Sequence, residues 1–595
     1  MKRLLGFVTT AIRFPLSRTG HRIGLRPLLM VGVGLLFTAQ SLMASGTIKG
    51  KVFDRETKDA LPGATILVKG TSIGASTDLN GAYTIYNAPS GTQTIVISYV
   101  GYVPTSESVN VPDNGTLEKD FYLEATAIQG KAVIVTAQAQ GQIQAINQQL
   151  TSNKIVSVVS EAKIQELPDF NAAQAISRLP GVSVTQSSGE ANKVVIRGLA
   201  PQYNEVAVGG ITLASTGSAQ IGATSLATLG PGFTGTINND RSVDLTMVTP
   251  YMIKSIEVYK TLTPDMEANA IGGYVNMELR EAPSGLHGDA LWQSGYTQKS
   301  NTYGNYRAVV SLSDRFFNEH LGVYVLGNLE EYDRSADNMN ANYQTAASYL
   351  DASGYRPVRV TNVTLNRHVE TRKRYGGNMI LDYRLPTGSI KSINMFSRLN
   401  SNYQDYNTTL NYNSINHDID FYYRGANSNT DLAVNTLEIT NDFGFMSVDI
   451  RAANTYSRNH LPSSPYYQFF QNNALTNSVT GDTNIVPEDL THFVNYGPDS
   501  STLLGSTSLF SSDYRENDQV YKGDFKIPLS VGPAVSGFFK FGGEYRYNYH
   551  TNDQATPYIS INRGATTAND INRQVVDSLL RYYSGFRQNK SIGGI

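Results

Sequence analysis

The stretch LGVYVLGNLE, residues 321–330, alternates apolar and polar side chains with a period of two, as a β-strand between two different environments requires. The apolar side chains share one face: Leu321, Val323, Val325 and Leu329. The polar side chains share the other face: Tyr324, Asn328 and Glu330. The stretch SGFFKFGGEYRYNYH, residues 536–550, repeats the alternation and places Glu544, Arg546 and Asn548 on one face. The pattern predicts a mainly β chain with antiparallel transmembrane strands that are apolar towards lipid and polar inside.

Composition excludes several classes of function. The 595 residues contain no cysteine, so disulfides and thiolate metal sites are excluded, and the net charge of -2 with a pI of about 6.5 gives no support for nucleic-acid binding. Two short motifs look catalytic, Gly70–Gly74 as G-x-S-x-G and Gly230–Gly235 as G-x-G-x-x-G. Neither stands at a strand-to-helix turn, and no H-E-x-x-H spacing occurs. We therefore predict a protein that is not an enzyme, with no catalytic residue, cofactor, metal site or nucleic-acid partner.

The N-terminus predicts export. Six Lys and Arg residues and no acidic residue precede the apolar run LLMVGVGLLF, residues 28–37, which is followed by the small residue Ala44. This order is typical of a cleavable signal peptide, which we assign to residues 1–44. The apolar run is too short to span a bilayer as a helix.

Residues 45–125 predict a small β-sandwich. Short alternating runs such as 64–68, 83–86 and 94–99 are separated by turn residues, among them Pro62-Gly63 and Asn80-Gly81. The segments GATILVKGTSIGASTDLNGAYTI and ISYVGY resemble the core of the carboxypeptidase-regulatory-like domain. In that family the domain is an accessory fold with no peptidase activity.

Residues 126–150 predict a linker rich in Gln and Ala, which contains one compact apolar run: Ala132, Val133, Ile134, Val135 and Thr136. An exposed β-prone segment in a tether can add a strand to the sheet edge of another protein. The alternative is that this run forms the last strand of the preceding sandwich.

Residues 151–283 predict a mixed α/β domain. Ser160 is expected to cap one helix and Asp169 a second, and a strand from about Ser255 to Lys260 leads into the stretch KTLTPDMEANAIGGYVNMELRE. That stretch holds no His, Cys or Ser and predicts a strand–turn–strand unit. Gly272 and Gly273 are expected to let it turn tightly against a neighbouring wall.

Four ordered motifs of this domain carry a family resemblance: SVVSEAKIQELPDFNAAQAISRLPGV, VVIRGL with Arg197 and Gly198, YNEVAVGG, and IEVYKTLTPDMEANAIGGYVNM with Gly272 and Gly273. Together they resemble the plug domain of TonB-dependent outer-membrane receptors. The resemblance implies the outer membrane of a Gram-negative envelope as location and active uptake of a nutrient as function. It implies that Ala132–Thr136 is the TonB box, the contact for the TonB energy-coupling complex of the inner membrane. Outer-membrane lipid, a small ligand and a surface lipoprotein are the other partners that it implies.

Residues 284–595 are expected to form a partial outer-membrane β-barrel. Long polar segments such as residues 457–493 suit external loops, and four aromatic residues there are candidates for ligand contact: Tyr466, Tyr467, Phe469 and Phe470. The alternative is that they pack within their own loop. Barrels of the family have about 22 strands, whose spanning segments alone use about 200–240 residues. These 312 residues and the polar ending RQNKSIGGI therefore predict a C-terminally truncated barrel with one unpaired edge.

The substrate is not readable from any single motif. The branch of plug domains and the accessory sandwich imply a carbohydrate. An iron–siderophore complex is the alternative cargo, and a non-transporting surface adhesin or signalling receptor is the alternative function.

Overall fold

The computed structural model describes residues 45–125, 149, 155–217 and 241–560, apart from short gaps at 57, 59, 62, 78–80, 114, 167–168, 268, 346–349, 351–352, 413–416, 477–484, 498–501, 532–534 and 556–557. The predicted signal peptide and the predicted TonB box lie outside these residues. Three units follow one another along the described chain. They are a small sandwich, an α/β plug and a large antiparallel sheet.

The sandwich is built from two sheets that face each other. One sheet has the order β4-β1-β7, with β8 also pairing with β1, and the other has the order β3-β2-β5-β6. The strands are β1 Ser45–Asp54, β2 Thr65–Val68, β3 Gly74–Ser76, β4 Ala82–Pro89, β5 Gly91–Ser98, β6 Thr105–Val111, β7 Thr116–Glu118 and β8 Phe121–Leu123. Alternate apolar residues of both sheets, including Ile48, Ile66, Ile85 and Ile97, are fully buried between them. Ser72 of the G-x-S-x-G match lies in the turn between β2 and β3, as a non-catalytic interpretation of that motif requires.

The plug contains a five-stranded sheet in the order β13-β12-β15-β14-β9, beside a separate β10–β11 hairpin. Its elements are β9 Val156–Ser160, α1 Glu161–Gln165, α2 Ala172–Ile176, β10 Val182–Ser187, β11 Glu190–Ile196, β12 Asn204–Val208, β13 Ile211–Thr212, β14 Ile253–Tyr259 and β15 Gly273–Leu279. Strands β14 and β15 pair antiparallel, whereas β12 and β15 pair parallel. The stretch that begins at Lys260 is thus the connection between two central strands of this sheet.

The caps of the two helices differ in how well they agree with the sequence prediction. Ser160 accepts a hydrogen bond from the backbone N–H of Lys163 at the start of α1. The prediction that Asp169 caps the second helix is wrong, because α2 begins two residues later and Asn171 accepts from Gln174 N–H. The carboxylate of Asp169 is held by Arg178 instead.

Over the part of the chain that the structure describes, the large sheet has eleven antiparallel strands. Nine follow one another in the order β16-β17-β18-β20-β21-β22-β23-β24-β25, and β19 and β26 pair with β20 and β24. The elements are β16 His287–Thr297, β17 Thr302–Phe316, β18 Leu321–Asp333, β19 Ala336–Thr345, β20 Val358–Leu385, β21 Gly388–Asn411, β22 Ile419–Asp442, β23 Ser447–Gln471, α3 Pro487–Leu490, β24 Leu503–Val531, β25 Val535–Ala555 and β26 Tyr558–Ser560. Among the described residues, no helix is long and apolar enough to cross a bilayer.

The large sheet has an outer face and an inner face, and the plug packs on the inner one. On β18, Val325 and Leu329 are 45% and 52% exposed on the outer face, whereas Asn328 and Glu330 are 3% and 1% exposed on the inner face. Apolar inner-face residues such as Leu326 join the core of the plug. Apolar side chains outside and polar ones inside are the reverse of a soluble protein, and they confirm the predicted alternation.

The sequence analysis assigned residues 457–493 to an external loop, and this prediction is wrong for the first part of the segment. Residues as far as Gln471 belong to β23, which pairs with β22 and β24 along this length. The sequence is polar there because β23 extends far beyond the length of about 9–11 residues that a bilayer requires. Hairpin connections at the opposite end of the strands are short, and the sandwich lies at that end, where Tyr86 hydrogen-bonds to Asp442.

Candidate functional site

The inner face of the large sheet holds the plug through a buried network of charges. Glu190, at the start of β11, lies between Arg372 and Arg374 of β20, with N–O distances of 3.0 and 2.9 Å. Arg374 also contacts Glu330 of β18 at 2.6 Å, and Arg307 of β17 contacts the same carboxylate at 3.1 Å. All five side chains are less than 10% exposed, so the network is shielded from water.

The charge state of Glu190 follows from these neighbours. Burial alone would raise the pKa of its carboxyl, but the positive charges of Arg374, Arg334 and Arg372 outweigh it and lower the pKa to about 2. Asn171 adds a hydrogen bond from its side-chain amide to the same carboxylate at 3.1 Å. Glu190 is therefore a stable anion through which β20 holds the plug.

Arg307 connects the large sheet to the loop that precedes helix α2. Its guanidinium donates to the backbone carbonyls of Asp169 and Phe170, at 3.2 and 2.7 Å, and lies 5.5 Å from the centre of the Phe170 ring. One side chain of the sheet thus satisfies two plug carbonyls as well as Glu330.

The tip of the β10–β11 hairpin makes the outermost of these contacts on β20. Ser188 has a φ of 49°, and its hydroxyl lies 3.2 Å from Nε2 of His368. His368 is held in turn by Asp405, 2.6 Å from Nδ1, and by Glu370, 2.8 Å from Nε2. Because two carboxylates fix the imidazole, we interpret this Ser–His–Asp arrangement as a structural contact.

A second anchor lies at the β12–β13 turn. Gly209 and Gly210 have φ values of 55° and 74°, as a tight turn requires, and the Gly209 carbonyl accepts from Arg451 at 2.8 Å. A Cβ atom on Gly210 would collide with the guanidinium of Arg451. This glycine pair, rather than Gly272 and Gly273, is the one that lies directly against the large sheet.

The third anchor is the chain segment that joins the plug to the sheet. Arg315, on the inner face, donates to the carbonyl of Ala282 at 2.7 Å, and Glu281 pairs with Lys391. Burial would raise the pKa of Glu281, but the charges of Lys254 and Lys391 lower it to about 2. The stretch after Lys260 also reaches the sheet, because Asp265 pairs with Lys540 at 2.7 Å.

The four residues of the predicted plug motif lie in two separate segments of the plug. Arg197 and Gly198 form a turn after β11, with φ values of 54° and 75°, and the side chain of Arg197 is exposed. Gly272 directly precedes β15, and Gly273 is the first residue of that strand and lies beside Ile196. The sequence analysis expected these two glycines to lie against a neighbouring wall, and this prediction is wrong, because their nearest neighbours are residues of the plug itself. A Cβ on Gly272 would meet the side chain of Asn204, and one on Gly273 would lie 2.9 Å from Ile196 Cδ1.

We expect the double variant Gly272→Val, Gly273→Val to destabilise the plug by about 1–3 kcal/mol, because each new side chain overpacks a closed interior. The measurement is the rate at which a protease cleaves the plug of the full chain. Gly327→Val is the control, since a Cβ at that outer-face position meets no atom within 4 Å. Equal cleavage of both variants would contradict the tight packing.

The aromatic residues proposed for ligand contact lie on β23. Tyr466, Phe469 and Phe470 are 2%, 4% and 3% exposed, and Tyr467 stacks on Tyr423 with ring centres 5.9 Å apart. Their packing favours the alternative that the sequence analysis left open, and ligand contact by Tyr467 stays a prediction. Within the described residues, no three His, Asp or Glu side chains are placed to hold a metal ion.

The charge network was missed by sequence reasoning, although a signal was present. Residues 370–374 read Glu-x-Arg-x-Arg, so three charged side chains share one face of a strand. Charges repeated with period two on a transmembrane strand indicate an inner face that pairs with something. Glu190, their partner, stands in an ordinary hairpin and carries no such signal.

Comparisons with known proteins agree with this architecture. Residues 48–135 match the family model described as a CarboxypepD_reg-like domain, and residues 148–274 match the one described as the TonB-dependent Receptor Plug Domain. A TonB-dependent receptor of Formosa agariphila is 34% identical over 158 residues, which cover 26% of this chain and 14% of that protein. The TonB-dependent receptor SusC of Bacteroides thetaiotaomicron is 29% identical over 253 residues, 41% of this chain and 21% of SusC.

The matched parts span only 14% and 21% of the length of these two relatives. Among solved structures, a mutant of the ferric enterobactin receptor from Pseudomonas aeruginosa in complex with enterobactin is similar, with 14% identity and a TM-score of 0.30. That similarity covers 64% of this chain and 63% of the receptor. By the family models, a carboxypeptidase-regulatory-like domain therefore precedes a TonB-dependent receptor plug domain in this chain, which is similar to TonB-dependent receptors over part of its length.

Proposed function

We propose that this chain acts in the outer membrane as a TonB-dependent receptor that takes up a carbohydrate. The observation that carries the proposal is a plug held by buried charges on the polar inner face of a sheet whose outer face is apolar. A passage sealed by a separate domain needs energy to open, which the TonB complex of the inner membrane would supply. The family relationship supports this coupling.

The tether is where that energy would enter. The predicted TonB box, Ala132–Thr136, precedes β9, which among the described residues is an edge strand of the plug sheet, next to β14. Strand addition of the box to TonB would let a pull on the tether act first on β9. The rest of the plug would stay in place until the contacts of Glu190 and Gly209 with the large sheet break.

The choice of a carbohydrate rests on the accessory sandwich and on the chemistry of the inner face beyond the hairpin tip. There, Tyr403 lies beside His368, and the Arg424 guanidinium is 5.9 Å from the Tyr403 ring. Asp405 stands on the same face. Aromatic rings beside carboxylate and guanidinium groups suit a ligand with apolar ring faces and many hydroxyl groups.

We expect Val133→Pro and Val135→Pro to abolish uptake without loss of ligand binding, because proline removes the backbone donor that strand addition needs. The measurement is uptake of labelled glycans and of iron–siderophore complexes by a deletion strain that carries each variant. Gln140→Pro, in the same tether but outside the run, is the control and should leave uptake intact.

The outcomes separate the alternatives. Unchanged uptake in both proline variants would contradict the box and favour a role of this run in the sandwich. Uptake of siderophores in place of glycans would overturn the carbohydrate assignment alone. Binding without uptake in the unmodified strain would favour a surface adhesin or signalling receptor.

A further inference from the structure

The outer face of the large sheet carries a row of amide side chains. Asn394, Asn435, Asn454 and Gln519 stand directly opposite one another on β21, β22, β23 and β24. They point to the same side as the exposed apolar residues, since Asn435 lies two positions before Leu437, which is 46% exposed. A groove of about 480 Å³ runs along this row.

This amide row lies within the apolar part of the outer face. On one side it is followed by exposed residues such as Leu437, Ile439 and Tyr521, and on the other side by Phe396 and Tyr549. The first charged outer-face row contains the pair Arg398–Asp431. Arg398 is four residues beyond Asn394 on β21, which corresponds to about 13 Å along the strand. The apolar band of an outer-membrane sheet is about 25 Å tall, so the amides lie well inside it.

Amides facing hydrocarbon need hydrogen-bond partners, because lipid tails supply none. The side-chain amide of Asn454 donates to Asn517 at 3.0 Å, and that of Asn394 donates to Ser392 at 3.1 Å. Within the described residues, the side chains of Asn435 and Gln519 form no hydrogen bond. Two of the four amides are therefore left with polar groups that a lipid-exposed face would not satisfy.

We propose that a second copy of this chain covers the amide row, so that the two outer faces meet across a two-fold axis. Each amide both donates and accepts, which makes the row complementary to itself after a rotation of 180°. Small residues beside the amides, Ser392 and Ala452, let the two faces approach closely.

The available area fits a stable interface. Six strands from β20 to β25 at a spacing of about 4.8 Å give a width of about 24 Å, and the apolar band is about 25 Å tall. The product is about 600 Å² for each copy, close to the roughly 800 Å² that one partner buries in a standard protein interface. The proposal requires the sheet to lie in a membrane, but it depends neither on the cargo nor on TonB coupling.

The absence of cysteine from the chain makes the test direct. Asn435→Cys and Asn454→Cys, introduced one at a time into the full chain in native membranes, should each give a cross-linked dimer with a short bifunctional maleimide. Val325→Cys and Leu329→Cys, at exposed outer-face positions of β18, are the controls and should give several-fold less dimer. Equal cross-linking at all four positions, or none at the two amide positions, would overturn the proposal.

A second variant removes the amides without adding a reactive group. Asn435→Leu combined with Asn454→Leu should shift the mass of the detergent-solubilised particle from two chains to one, while resistance to heat unfolding is kept. Val325→Leu is the matched control and should remain a dimer. A monomeric unmodified protein, as expected if lipid covers the row, or a dimer that survives the double substitution, would also overturn the proposal.

Discussion

Replacing Arg374 with methionine should weaken the attachment of the plug to the large sheet by about 3–5 kcal/mol. The change removes the guanidinium that Glu190 and Glu330 share, at 2.9 and 2.6 Å, and leaves both carboxylates in a site that excludes water. Methionine retains the bulk of the aliphatic part of the arginine side chain but not its guanidinium, so the loss is mainly that of the buried positive charge and its hydrogen bonds. The neighbouring Arg372 and Arg307 remain, and they limit the effect to this range.

The release of the plug can be followed with one probe in the full chain. Because the chain contains no cysteine, a fluorophore can be attached through Ser183→Cys on the exposed side of β10. The urea concentration at which its signal changes then reports release, and this midpoint should fall in the Arg374→Met variant. Lys373→Met is the matched control. Lys373 is the residue directly before Arg374, but its side chain points to the outer face and is 44% exposed. The Lys373→Met variant should lose no more than about 1 kcal/mol of the free energy that holds the plug on the sheet.

A double variant separates the buried charge from the lost packing. In Glu190→Gln with Arg374→Gln, the anion and one cation disappear together, so much of the penalty of an unpaired charge should disappear as well. We expect the double variant to lose at most half as much free energy of plug attachment as Arg374→Met does. If the plug is released at the same urea concentration in the double variant as in Arg374→Met, the network acts through the shape of its side chains and not through their charge.

The sequence predicted the architecture because the dominant signals are local. The period-two alternation at Leu321–Glu330 requires a strand with two different environments, and the structure places Val325 outside and Glu330 inside. The strand–turn–strand unit around Gly272 was predictable for the same reason. Turn residues and strand residues are recognisable within a window of ten positions.

Errors arose where two residues compete for one local role. Asp169 and Asn171 are both good helix caps, and the sequence alone favours the one after Pro168. Tertiary contacts decide the outcome, because Arg178 holds the carboxylate of Asp169 and Asn171 reaches both Glu190 and α2. The choice of cap thus depends on residues that are distant from both candidates.

Long-range pairing explains the other omissions. Tyr466 and Phe470 looked like loop residues because their neighbours are polar, but β23 continues past the apolar band and pairs on both sides. Glu190 and Arg374 are 184 residues apart, and no local pattern connects them. Only one half of the site was predictable from the sequence, namely the charged inner face of β20. Its partner in the plug, Glu190, was not.

Acid should release the plug in a step that depends on Glu190. The pKa of this carboxyl is about 2 in the folded chain, against the ordinary value of 4.5. A lowered pKa means that the stabilisation is fully present above about pH 4.5 and is lost as the pH falls through about 2. A difference of this size corresponds to about 3 kcal/mol. Protonation removes the anion but leaves Arg372 and Arg374 buried beside each other, so the hairpin should leave the sheet before the strands of the sheet separate.

The measurement is the urea midpoint of the same fluorophore signal, recorded in steps from pH 6 to pH 2. The unmodified chain should lose stability progressively over the lower half of that range. Glu190→Gln, which has no carboxyl to titrate at this position, should start from a lower midpoint and change less between pH 4.5 and pH 2. Glu331→Gln is the control, because Glu331 pairs with Lys373 on the outer face and should leave the acid step in place. Identical pH profiles for the unmodified chain and Glu190→Gln would mean that other carboxylates hold the plug, with Glu281 beside Lys391 as the next to replace.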